Sequence, residues 1–191
     1  MTRKNVWPTL DVSATPRDSD LGVVAMGGPR GPFFICMNDE GEIVATQLGR
    51  PPRGSWTVAR RCACGLPMVI ETEPQLDDAT PFPTRYWLTC KKLNAAIGRL
   101  EASGSMESIN RRLRGEPVFQ DALRRSTIGY LADRSHLLGG DRHPGGGPER
   151  VKCLHAHVAH QLITGDNPVG AQTLAELGWE EPEEPCVEVS K

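Results

Sequence analysis

Apolar residues fall into two regimes along the chain. Between Ser55 and Thr89 they come in short runs of strand-forming residues: an alternation around Trp56 and Val58, the unbroken Met68-Val69-Ile70, and Arg85 to Thr89. Three short strands are expected there. Pro74 to Pro83, with Asp77-Asp78 and Pro81-Phe82-Pro83, reads as a turn-rich connector between the last two. From Lys91 the period lengthens. Leu93, Ala96, Ile97 and Leu100 recur at helical spacing, with Gly104 as the stop. Ile109 and Leu113 mark a second helix, halted by Gly115 and Pro117, and Phe119 through Leu131 to Leu137-Leu138 a third. Leu154, Val158 and Leu162 share one stripe of a fourth helix from about Glu149 to Ile163, and Ala171 to Leu177 forms a last short one. A further short helix, Ile43 to Leu48, opens at the acidic, cap-like Asn38-Asp39-Glu40. The pattern predicts an α+β domain, a small β unit of about three short strands followed by four to five helices.

The breakers set the boundaries. Residues 1–36 are polar and Pro-containing, with the cluster Gly27 to Pro32 and only Val23-Val24-Ala25 and Phe33 to Cys36 as strand candidates. They are expected to be a disordered or mis-called extension, with Met37 as the physiological start. A single domain is expected over 37–178, followed by an acidic tail over 179–191. Gly139 to Pro148 holds five Gly and two Pro and predicts a mobile loop.

Composition excludes several classes. With 20 Gly and 16 Pro in 191 residues the chain is not a coiled coil, and no apolar run nears the roughly 20 residues that span a bilayer. Trp7-Pro8-Thr9-Leu10-Asp11 interrupts any apolar stretch after Met1-Thr2-Arg3-Lys4, so a cytoplasmic location is expected. There thiols stay reduced, and six Cys suit metal, catalysis or a core rather than disulfides. The net charge of −2 hides a basic middle, 17 Lys and Arg against 12 Asp and Glu over residues 43–169, and an acidic end with six Glu against one Lys from residue 170. So small a surplus favours a solvated surface, with the tail folded weakly back on it, over a nucleic-acid partner.

The cysteines and histidines concentrate in two blocks. Cys62-Ala63-Cys64-Gly65 is a tight pair at a strand-to-turn junction, and Cys90 ends the third strand. The second block is Cys153-Leu154-His155-Ala156-His157-Val158-Ala159-His160. At about 100° per residue, Cys153, His157 and His160 fall within about 60° of one another, with His155 on the far side unless the helix begins after Cys153. Soft thiolates with imidazole select zinc or an iron–sulfur centre. The competing reading is buried apolar Cys and core His, and a one-residue CxC spacer is rarer than CxxC in zinc knuckles. Taken together the two blocks favour metal. Cys36 and Cys186, in the expected disordered ends, receive no role.

A string of blocks carries a resemblance: Gln47 to Gly54, Arg61 to Pro67, Glu71-Thr72, Thr80 to Thr84, Leu88-Thr89-Cys90, Arg99-Leu100-Glu101-Ala102 and Arg150 to His155. Over roughly residues 43–177 the chain resembles the domain-of-unknown-function family five hundred and one, found mainly in high-GC Gram-positive bacteria. Its members usually begin shortly before the Gln-Leu-Gly-Arg block, in keeping with a start at Met37. The family has no established activity; its genes often neighbour a septum-formation initiator and an exopolyphosphatase, which implies a link to division or phosphate metabolism. Its C-terminal block carries over onto Cys153, His155 and His160, whereas the position of His157 varies. The chain departs from the family pattern at Ala79, where Asp-Gly-Thr-Pro is common, and at Lys91, where Pro is usual.

The expected metal ligands are therefore Cys62, Cys64, Cys90, Cys153, His155 and His160, with His157 weaker, in a closed zinc site or, alternatively, an Fe–S site. Such a protein would be an adaptor or regulator with a protein partner. An open metal site with a spare His or Glu71 as base, or a thiol enzyme using Cys90 or Cys153, is the catalytic alternative. Anion binding by Arg50, Arg53 and Arg61, with Arg60, Lys91 and Lys92, is the third.

Overall fold

The computed structural model describes residues 40–132 and 143–188. The strand candidates at 23–25 and 33–36, the start at Met37 and the pair Leu137-Leu138 lie outside them. The architecture is α+β, a three-stranded antiparallel sheet with helices before and after it. Helix α1 spans Glu40–Leu48, and the strands are β1 (Trp56–Arg61), β2 (Pro67–Thr72) and β3 (Tyr86–Leu88). Helices α2 (Lys91–Ala102), α3 (Ser105–Gly115), α4 (Pro117–Leu131), α5 (Leu154–Thr164) and α6 (Pro168–Leu177) follow.

Strand β2 lies between the other two. Its first four residues are all buried, as a central strand covered on both faces requires. Helices α1 and α5 both pack on it. Strand β1 pairs Trp56 with Thr72 and Arg61 with Pro67, with register irregularities around Arg60, and β3 pairs Leu88 with Val69. Both flanking strands run antiparallel to β2. Their C-terminal ends therefore fall together beside Pro67. In the connector, Phe82 stacks on Trp87 with ring centroids 5.8 Å apart.

Helix α5 is the hub of the second layer, touching all three strands as well as α2 and α6. Its Leu154, Val158 and Ala159 are fully buried. The predicted start at Glu149 is corrected to Leu154. Val151 is claimed by other partners: Asn110 on α3 accepts from its N–H at 2.8 Å and donates to its carbonyl at 3.1 Å. Gly145 O accepts from Lys152 N at 2.7 Å and Cys153 N at 3.1 Å. The chain is thus held extended at Cys153 (φ −152, ψ 116), and the helix begins at the next residue.

The Gly-rich segment is also corrected where it is described. His143 to Pro148 is packed against the core rather than loose. His143 is buried, and a Cβ at Gly145 would stand 2.8 Å from the His157 ring and 2.9 Å from Cys153 O. The glycine there permits close approach, not freedom.

Three imidazoles occupy this part of the core. His143, His157 and His160 are buried, with ring centroids 4.3 Å (143–157) and 5.2 Å (143–160) apart, and Tyr130 lies 4.5 Å from His143 and 4.8 Å from His160. Asn167 Nδ2 reaches Nδ1 of His157 at 3.1 Å and Nδ1 of His160 at 2.9 Å, while its Oδ1 accepts from Gly170 N at the start of α6. Donation by the amide fixes both rings as neutral tautomers with the proton on Nε2. His157 Nε2 then donates to Gly145 O at 3.2 Å, whereas His160 Nε2 stands 3.4 Å from Asp166 Oδ1 without the alignment of a hydrogen bond. Burial, chiefly, pulls the pKa of His157 and His160 down to about 4, Asp166 opposing and Arg85 adding to the effect at His160, and pushes His143 lower still. His160 is therefore a core residue.

Three predictions follow from this packing. Ala79 adopts φ +62 in the turn closed by Leu76 and Thr80, a conformation that favours Gly. Left-handed backbone costs a side-chain-bearing residue about 1–2 kcal/mol, and glycine's extra unfolded-state entropy offsets part of the gain. Ala79→Gly should stabilise the protein by about 0.5–1 kcal/mol in urea unfolding; a loss of stability would refute the strain. The second concerns acid. An unfolded imidazole titrates near 6.5, so below that pH the unfolded state binds protons that the buried rings refuse. The contribution of these rings is complete above pH ~6.5 and falls as pH drops toward 4, by up to about 1.4 kcal/mol per pH unit for each of the three. Urea midpoints should fall sharply between about pH 6.5 and about pH 5. Asn167→Ala, which orphans two buried ring nitrogens and a helix cap, should cost about 3 kcal/mol at neutral pH.

Candidate metal centre

The start of α5 decides which residues Cys153 meets. Lying outside the helix, its side chain turns back toward His155 in the first turn, and Cys153 Sγ stands 3.9 Å from His155 Nδ1. His155 Nδ1 is 3.4 Å from Glu101 Oε1 near the end of α2. One ligand atom from each of Glu101, Cys153 and His155 lies within 4.8 Å of the other two, and all three residues are half-buried. Among the described residues this is the His/Cys/acid group with such convergence.

Each member is held from behind. His155 Nε2 lies 3.2 Å from Asn94 O, so the proton sits on Nε2 and Nδ1 offers its lone pair to the cluster. Glu101 Oε1 accepts from Leu154 N at 2.7 Å, tying the carboxylate to the N-terminus of α5. That helix end also favours negative charge on Cys153. Burial raises the Cys153 pKa, but His155 and the Ala156 N–H outweigh it, so the thiol ionises below its ordinary value. Contact with Cys153, against the cost of burial, raises His155, with the Asn94 carbonyl and Glu101 adding to the rise. A soft sulfur, an imidazole and a hard oxygen converge; the Cys153–His155 contact favours a thiolate beside an imidazolium, so a cation bound there would displace the His155 Nδ1 proton.

The six expected ligands therefore do not form one site. Cys153 and His155 gather with Glu101. His160 faces the core with His143 and His157, because five residues of helix turn it away from His155. Cys62, Cys64 and Cys90 gather at the far end of β1 and β3. Pairing of Cys153 with His155 rather than His157 follows from the later helix start, as the family pattern implies.

Two residues escaped the sequence reading. Glu101 stood only inside a family block, one of 24 acidic residues with nothing local to distinguish it. Cys186 lies in the Glu/Pro-rich end, expected to be disordered. Instead, Trp179 to Glu188 runs back along the sheet: Glu181 bonds Arg60 at 2.6 Å and the Ala63 N–H at 3.0 Å, and the Glu184 carbonyl accepts from Lys92 at 3.1 Å. The expectation that the acidic end folds onto the basic middle is met here by specific pairs.

The expected anion-binding arginines are dispersed. Arg50 lies over Trp87, 5.5 Å from the ring centroid, and lines a shallow hollow with Arg53 near the start of β1. Arg61 sits at the opposite end of that strand, paired with Glu40.

No helix among the described residues is long and apolar enough to cross a membrane. No curated protein and no solved structure matches the chain. The family model described as "Protein of unknown function (DUF501)" matches residues 58–144 and 140–175, a span that contains all of the sheet but the first two residues of β1, the Cys153 cluster and the buried imidazoles. The chain belongs to the DUF501 family.

Proposed function

We propose that the protein is a metal-binding protein that holds zinc at Glu101, Cys153 and His155. The observation that carries this reading is the convergence of one sulfur, one nitrogen and one oxygen within 4.8 Å of one another. A His whose second nitrogen is fixed by a backbone carbonyl supports it, because metal-bound imidazoles are oriented that way. A single thiolate argues for zinc over an iron–sulfur cluster, which draws mainly on thiolates.

Three protein ligands leave a fourth position for water or a substrate atom, the arrangement of catalytic rather than structural zinc. The reading thus leans to a metal-dependent enzyme over an adaptor or a regulator of division or phosphate metabolism. Bound zinc would polarise what occupies that position and lower the pKa of a bound water. The chain's own part is to keep Glu101 fixed by Leu154 N–H and His155 fixed by Asn94 O. The half-exposed rim admits solvent.

Zinc per chain, measured by elemental analysis of protein purified without added chelator, tests the proposal. A Cys153→Ser/His155→Ala double variant should carry one equivalent less than wild type, and Glu101→Gln should weaken zinc binding about 10–100-fold. Unchanged zinc in the double variant sinks the metal reading. In that event, unusually fast alkylation of Cys153 near neutral pH, abolished by His155→Ala, would assign the pair to nucleophilic thiol chemistry instead.

A further inference from the structure

Beyond α6 the chain continues as a segment with no regular structure of its own. Gly178 (φ +55) ends the helix, and Trp179 N donates to Leu174 O at 3.1 Å. Among the described residues, no main-chain-to-main-chain hydrogen bond holds positions 180–188. From Trp179 to Glu188 the segment carries five Glu and no Lys or Arg. What fixes it is the surface beneath, formed by the end of β1, the turn that follows and the start of α2.

That surface reads a peptide. Glu181 is held by both carboxylate oxygens: Arg60 donates to Oε1 at 2.6 Å and the Ala63 N–H to Oε2 at 3.0 Å. Arg60 is braced from behind, its other terminal nitrogen donating to Leu162 O on α5 at 2.8 Å. Lys92 donates to the Glu184 carbonyl at 3.1 Å and stands 3.7 Å from the Glu184 carboxylate. Cys62 Sγ faces Pro182 O at 3.7 Å, and Gln47 Nε2 donates to Cys186 Sγ at 3.2 Å. Two main-chain carbonyls and two acidic side chains three residues apart are recognised together. The closure is nevertheless shallow. Both ion pairs are accessible to solvent, Glu184 being 92% exposed, and such pairs contribute little and are screened by salt. Trp179 and Cys186 are only half-buried. Against these contacts stand two polar atoms sealed without a partner: Trp179 Nε1, within the segment, and Gln47 Oε1, on the amide that faces Cys186. An unpaired buried donor and an unpaired buried acceptor penalise the docked state. A segment with no main-chain hydrogen bonds, accessible ion pairs and that penalty belongs to the low-stability end of a fold.

We propose that Arg60, the Ala63 N–H and Lys92 form a docking surface for an acidic peptide segment of a partner protein, and that Trp179–Glu188 is its built-in, exchangeable occupant. A guanidinium and a main-chain N–H sharing one carboxylate give a charge-assisted, directional contact that another acidic side chain can take over. Lys92 reads a second carboxylate and the carbonyl beside it. The tethered segment competes at an effective concentration in about the millimolar range. A partner therefore engages only when its segment makes more contacts than the chain's own, or when it is already held nearby. Exchange lifts Trp179 off the surface and returns its Nε1 to water. The surface shares no residue with Glu101, Cys153 and His155.

The test uses the full chain and a fluorescent peptide of residues 179–188 carrying Cys186→Ser, with binding followed by anisotropy. Substitutions on the two sides of the same ion pairs should act in opposite directions. The chain variant Glu181→Gln/Glu184→Gln weakens the internal competitor and should bind the peptide roughly tenfold more tightly than the unmodified chain. Adding Arg60→Gln/Lys92→Gln removes the groups that read the peptide and should abolish at least that tenfold gain, whereas adding Arg124→Gln, on a remote surface pair, should leave it intact. No saturable binding to the Glu181→Gln/Glu184→Gln chain, or binding that Arg60→Gln/Lys92→Gln leaves unchanged, would overturn the proposal. A second measurement needs no substitution. Cys62, buried beneath Pro182, should alkylate several-fold faster in about 0.5 M salt than in about 0.05 M as the ion pairs are screened. A rate independent of salt would make the segment a fixed part of the fold and overturn its role as an exchangeable occupant. Neither readout involves Cys153 or His155, so this proposal and the zinc site fail separately.

Discussion

The point at which α5 begins governs most of the functional surface. Asn110 grips Val151 through both backbone groups, and Gly145 accepts from the two residues after it. Between them they keep the chain extended through Cys153. Each residue by which the helix started earlier would rotate a side chain about 100°. A start at Glu149 would put Cys153 on the stripe of His157 and His160, inside the core. The observed start swings it out to His155 and Glu101. One amide and one glycine carbonyl thereby separate an interior histidine cluster from an accessible one.

The same residue type consequently does opposite things a few positions apart. His157 and His160 are stripped of water, kept neutral by Asn167, and resist protonation. His155, half-exposed beside an acidic side chain and a thiol, is drawn the other way. Burial alone does not set the difference. Cys153 sits in a partly buried place too, yet the helix N-terminus and His155 lower its pKa, whereas Cys90, with another thiol as its neighbour, is raised.

The strands, the helices and their order were legible because apolar spacing reports burial directly. Trp56–Val58, Met68–Ile70 and Leu93–Leu100 each sit where their period places them. The start of α5 was not legible, since its cause is Asn110, over forty residues away. The grouping of the ligands failed for the same reason. Cys62, Cys64 and Cys90 do gather, because antiparallel pairing puts the ends of β1 and β3 together, but whether Cys153 joined them depended on that boundary. Glu101 and Cys186 were invisible for different reasons: one was a carboxylate among many, the other sat in a stretch whose only pattern was Glu and Pro. Such a segment has no periodic signal of its own and is fixed by what it lies upon.

The irregular register of β1 around Arg60 has a further consequence. An outer strand with its backbone bonding groups in line is a template on which another chain can lay a strand. Here the ladder slips between Val58 and Arg60 and again at Arg61, and the slipped residues carry guanidinium groups held by Glu181 and Glu40. A bulge twists an outer strand away from a flat approach, and fixed charges are costly to cover. A sheet of only three strands, with so much β-forming sequence in its centre, is thereby kept from growing by addition along that side.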